Sequence, residues 1–135
     1  MTFIILSSAV IIAFYFIFKK KKTVNGWKKP KTDFPKEWRI TLIEEVNFYN
    51  TLSSEEKAHF EFKIQEFLLN CRITGIKTEI TTRDQILTAS SAVIPIFAFK
   101  NWTYSNLSEV LIYPTSFNEK FETTGADRRI LGMVG

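Results

Sequence analysis

The sequence predicts an α+β protein: an N-terminal transmembrane helix, then a helical hairpin packed with short strands. Three observations predict it. Residues 2–18, TFIILSSAVIIAFYFIF, are uncharged and end at four lysines. Apolar residues then recur at helical spacing in two successive stretches, Trp38 to Tyr49 and Phe60 to Leu68. Beyond Gly75 the period shifts to two, as in strands.

The apolar run is at the short end of the roughly 17–25 residues that span a bilayer. A cleaved signal peptide carries its positive charge ahead of the apolar core and small residues after it. Here Lys19, Lys20, Lys21 and Lys22 follow the core directly. The order predicts an uncleaved single-pass anchor over residues 1–22, with the lysines as its basic stop. Positive residues stay cytoplasmic, so the C-terminal body is expected in the cytoplasm, held at the inner (cytoplasmic) membrane. Residues 23–34, TVNGWKKPKTDF, mix lysine, glycine, proline and polar groups and read as a linker. Its lysines would lie near an anionic leaflet. Trp27 has two places to go, the membrane interface or the body.

The body begins at residue 35. Pro35 is suited to a first helical turn, and Trp38, Leu42, Val46 and Tyr49 form one apolar stripe after it. Ser53 with Glu56 three residues on is a capping box, so a second helix is expected there. Phe60, Ile64, Phe67 and Leu68 make its buried stripe. The short connection predicts that these helices are antiparallel neighbours. Gly75 marks a turn into a strand in which Ile76, Thr78 and Ile80 alternate with Lys77, Glu79 and Thr81. Asp84 is expected to cap a third helix, whose Ala89, Ser90, Ser91 and Ala92 permit close packing. Pro95 should end or kink it. Glu109 to Pro114 reads as a second strand, and RRILGMVG as the start of a third. Trp38, Phe60, Phe67, Ile94, Phe97 and Trp102 are the expected buried core.

Charge is divided unevenly. Seven of the 18 basic residues lie in residues 1–31, where there is no acid, which leaves eleven against 14 acidic residues in the rest. A mildly acidic body argues against nucleic acid as a partner, since phosphates require a basic face. Cys71 is the lone cysteine, so no disulfide forms within the chain; it is expected to pack as a small hydrophobe rather than act as a reactive thiol. His59 is the lone histidine. Glu55 and His59 are one turn apart, but a metal needs further ligands, and His59 is expected on an exposed helix face. A histidine-dependent triad and a glycine-rich phosphate loop are both missing. The sequons at Asn101 and Asn106 have no use in a cytoplasmic body.

The stretch ILTASSAVIPIFAFKNWTYSNLSEVLIYPTSF, residues 86–117, resembles the Mlc titration factor A family of zinc metallopeptidases. The stretch from FPKEWRITLIEEV to NCRITGI, residues 34–76, and the final ILGMVG, residues 130–135, fit the same family in the same order. The resemblance covers about residues 34–135. It implies an incomplete zincin-like domain, with residues 35–135 as its N-terminal part. The family's H-E-x-x-H motif, in which two imidazoles bind zinc and a glutamate activates water, falls after the segment that ILGMVG matches. No residue here inherits a catalytic, cofactor-binding or metal-binding role, and His59, in the second helix, is no stand-in. The apolar end at Gly135 is therefore expected to be a truncation or the boundary of a partial sequence.

The resemblance implies the N-terminal fragment of a membrane-anchored zinc-dependent peptidase, inactive alone. Zinc and a peptide substrate belong to the complete family member. The family is also associated with a transcriptional repressor, which supplies an alternative: a non-enzymatic, membrane-tethered binding module for a transcriptional regulator. A small anchored protein unrelated to the family is the third reading.

Overall fold

A computed structural model describes residues 26–116, 118–125 and 129–132. The expected anchor, residues 1–22, lies outside them. Among the described residues no helix is long and apolar enough to cross a membrane. The helices are α1 (Lys36–Glu45), α2 (Asn47–Thr51), α3 (Ser54–Asn70) and α4 (Thr82–Val93), and the strands are β1 (Arg72–Gly75) and β2 (Glu109–Ile112). This is an α+β arrangement.

Pro35 caps α1, as its preset φ suits the start of a helix. The stripe expected to make one helix makes two. Val46, at φ −113° and ψ 87°, closes α1 and opens α2. Its N–H donates to the Leu42 carbonyl (3.1 Å), while its own carbonyl accepts from the Tyr49 N–H (2.9 Å). The break does not expose the stripe: Leu42, Val46 and Tyr49 are all buried. The α3 capping box forms as read. The Glu56 N–H donates to Ser53 Oγ (3.3 Å), and the Ser53 N–H donates to Glu56 Oε2 (2.9 Å). Phe60, Ile64 and Phe67 then point into the core.

The first strand lies earlier than the alternation at Ile76, Thr78 and Ile80 predicts. It occupies Arg72–Gly75, so Gly75 ends the strand instead of leading into it. Two local facts account for the shift. Lys77 sits at φ 57°, which breaks any extended run. The chain also folds back so tightly that a Cβ on Gly75 would lie 2.1 Å from the Thr78 carbonyl oxygen. Thr81, not Asp84, is the N-cap of α4; Asp84 is its N3 partner, accepting from the Thr81 N–H at 2.9 Å. Pro95 follows in a 3-10 turn, Ile94–Ile96, and the α-helix ends at Val93.

The strands pair in parallel, Arg72 with Glu109 through Gly75 with Ile112. Parallel neighbours need a crossover, and α4 supplies it. The ladder closes with Arg72 N–H to the Ser108 carbonyl (2.9 Å) and Ile76 N–H to the Ile112 carbonyl (2.8 Å). Of the third strand expected from RRILGMVG, the described part shows a single bridge residue, Ile130.

The helical layer also differs from a simple hairpin. α4 packs against both α1 and α3. Its buried Ala89 and Ser90 let the backbones approach, and the Ser90 hydroxyl is satisfied within the helix by the Ile86 carbonyl (2.8 Å). Phe60 and Phe67 are fully buried as expected, whereas Trp38, Ile94 and Phe97 are packed at the edge of the core. Trp102 is 45% exposed and meets Tyr104 edge-on, at 4.7 Å between rings. It follows the 3-10 turn, where no apolar periodicity holds it inward.

Candidate functional site

Residues 26–34 run along α3 as a strap. Trp27 docks on the body, its ring 6.1 Å from that of Phe67. Asn70, the last residue of α3, clamps Lys28 from both sides. Its Oδ1 accepts from the Lys28 N–H (2.7 Å) and its Nδ2 donates to the Lys28 carbonyl (2.9 Å). One turn back, Gln65 Nε2 donates to the Asp33 carbonyl (3.2 Å). Phe34 is buried and meets Trp38 edge-on at 5.7 Å.

Between strap, α3 end and β1 lies a groove of about 820 Å³. Trp38, Leu68, Leu69 and Ile73 supply its apolar wall, and Lys28, Lys29, Lys31 and Arg72 its charge. Among the described residues no carboxylate lines it. Sequence reading missed this site. Its lysines were visible in the linker, but nothing in the sequence brings Arg72 and the end of α3 beside them.

Cys71 lies on the groove floor and is 2% exposed. Burial, with the nearby Glu109 charge as the lesser cause, pushes its thiol pKa up. A protonated, enclosed thiol is a poor nucleophile, so Cys71 packs as a hydrophobe here.

His59 is not on an exposed face. Its ring lies 5.5 Å from that of Phe97, and Nε2 is buried with no hydrogen-bond partner among the described residues. The 3-10 turn brings Phe97 back over α3, a contact that helical periodicity alone does not foresee. Glu55, one turn earlier, is exposed. Among the described residues no three His, Cys, Asp or Glu side chains come together as metal ligands. An imidazole packed on phenylalanine and a protonated thiol do not fit a zinc centre, and no catalytic step follows from them.

A second polar cluster is structural. Arg39 donates to both oxygens of Glu61, and the Tyr49 hydroxyl donates to Glu61 Oε1 at 2.6 Å. Burial opposes ionisation of Glu61, but the hydrogen bonds from Arg39 and Tyr49 outweigh it and hold the carboxyl below its usual range. The buried Lys63 likewise has its carboxylate, Glu66, at 2.9 Å.

Comparison with known families places the chain among the metallopeptidases. It belongs to the family described as glucose-regulated metallo-peptidase M90, whose model matches residues 18–133. No curated protein and no solved structure matches the chain.

Proposed function

We propose that this chain supplies the N-terminal part of a membrane-anchored, zinc-dependent peptidase, with the zinc-binding helix contributed by sequence outside these residues. One observation carries the reading: a metallopeptidase family match across most of the chain coexists with a single histidine, held by aromatic packing. An H-E-x-x-H helix needs two imidazoles one turn apart. The role of residues 35–135 is then to build the helical layer and parallel strand pair on which that helix is mounted.

The anchor belongs to the same proposal. It is supported by the order of charge in the sequence, an apolar run and then four lysines. The lysine-rich strap beyond it is bound to α3, so the body would be held close to the bilayer surface.

The test is elemental analysis of the purified chain together with peptide-cleavage assays, each repeated on a form extended through the downstream zinc helix. The chain of residues 1–135 should hold no stoichiometric zinc and cleave nothing, and the extended form should bind zinc and cleave peptide. One tightly held zinc per chain, or chelator-sensitive cleavage by residues 1–135, would overturn the proposal.

A further inference from the structure

The groove beside the strap has no part in peptide cleavage as proposed above. We infer that it seats an anionic phospholipid of the bilayer to which the N-terminal run attaches the chain; the inference rests on that membrane reading. Three features select this occupant.

The first is charge. Lys28, Lys29, Lys31 and Arg72 are exposed around the groove, and among the described residues no acid lines it. The rest of the body carries an excess of acid, so this is where an anion is drawn. A phosphodiester headgroup with net negative charge satisfies it, whereas a zwitterionic headgroup brings its own cation into the same space.

The second is the wall. Trp38 and Leu68 are packed at the core's edge, and Leu69 is 49% exposed. A free phosphate would leave this apolar surface in water. A lipid covers it with the glycerol and the upper parts of its acyl chains, and about 820 Å³ leaves room for both. An acidic peptide would match the charge but has less use for so apolar a wall.

The third is reach. Lys28 follows Lys22 by six residues, which span at most about 20 Å when fully extended. With residues 2–18 in a bilayer, the groove cannot lie far from the headgroups. The strap is also already in position, its backbone held by Asn70 and Gln65, so binding orders little that is not ordered before.

The test uses the full chain in a maltoside detergent, in a W27F/W102F background so that the tryptophan fluorescence comes from Trp38 in the groove. It is titrated with dihexanoyl phosphatidylglycerol, dihexanoyl phosphatidylcholine, inorganic phosphate and a glutamate-rich peptide. Phosphatidylglycerol should saturate, and the other three should not bind at comparable concentration. The quadruple variant K28Q/K29Q/K31Q/R72Q should bind at least about tenfold more weakly, and K19Q/K20Q/K21Q/K22Q should stay within about twofold of the parent chain. Leu69→Glu, on an exposed position that leaves the core untouched, should weaken binding as strongly as the quadruple variant. Equal binding of phosphatidylcholine, a match by phosphate or by the peptide, or undiminished binding by both groove variants would overturn the inference. Failure of the anchor itself shows separately, as release of the chain by carbonate washing.

Discussion

Arg39 and Glu61 form a two-point ion pair between α1 and α3, with Nε to Oε1 at 2.7 Å and Nη2 to Oε2 at 2.8 Å. Twenty-two residues separate them, and Tyr49 from α2 completes the group through Glu61 Oε1. Three helices therefore share one carboxylate. Two parallel hydrogen bonds fix geometry as well as charge, so the pair sets how α1 lies on α3. Glu61→Gln keeps the shape and loses the charge. It should cost about 1–2 kcal/mol by urea denaturation, less than a fully buried pair, because water screens the Arg39 side chain.

The same group predicts a pH profile. The carboxyl of Glu61 is held below its ordinary value of 4.5. Its contribution is fully present above that value and is lost as pH falls through the lower, folded one. Tyr49 works in the opposite direction. Burial first, then the hydrogen bond to Glu61, push its hydroxyl from 10.0 up to about 12. Its contribution is complete below pH 10.0 and is lost as pH rises towards 12. Denaturation midpoints measured across pH should fall at both ends, and Glu61→Gln should flatten its share of the acid limb. An acid limb that is unchanged in the variant would remove Glu61 from the account.

Phe67 and Trp102 test the core. Phe67 is 1% exposed and touches Trp27 and Tyr104 edge-on. Phe67→Ala should cost about 3–5 kcal/mol and lower Tm by many degrees. Trp102→Ala, at a half-exposed ring, should cost about 1 kcal/mol or less. Calorimetry of both variants checks the contrast, and similar losses would mean that Trp102 is buried.

The turn after β1 gives two substitutions of unequal cost. A methyl group on Gly75 meets the Thr78 backbone, which cannot swing away as a side chain would. Gly75→Ala should destabilise by about 1–3 kcal/mol. Lys77, held at φ 57°, is strained as a residue with a Cβ. Lys77→Gly relieves that strain while loosening the unfolded chain, so stability should change by less than about 1 kcal/mol in either direction. Denaturant titration of the two variants would separate a turn that needs glycine from one that tolerates it.

The apolar run of residues 2–18 should keep the chain in the membrane fraction after carbonate washing. A tag at Gly135 should be reached by protease only from the cytoplasmic side. Protection of the tag from the cytoplasmic side would reverse the topology.

Local chemistry was legible in the sequence wherever the interacting residues are near neighbours in the chain. Ser53 and Glu56 name their own capping box, and the 3.6-residue stripe over Phe60, Ile64 and Phe67 names its buried face. Pro35 and Pro95 mark helix ends because their fixed φ and missing N–H act on the spot. The family was legible as well, from an ordered set of segments that the family match supports. What only the tertiary structure decided involves distant residues. The alternation of Ile76, Thr78 and Ile80 lost to a strand beginning at Arg72, because pairing with Glu109 to Ile112 sets the register and a left-handed Lys77 closes it. His59 went from an expected exposed face to the underside of Phe97, because the turn after α4 folds back over α3. The basic groove joins Lys28 to Arg72 through the Asn70 clamp, a contact across 42 residues. Period and capping act within a turn or two of the chain, whereas a groove is made by surfaces that meet only once the helices have packed.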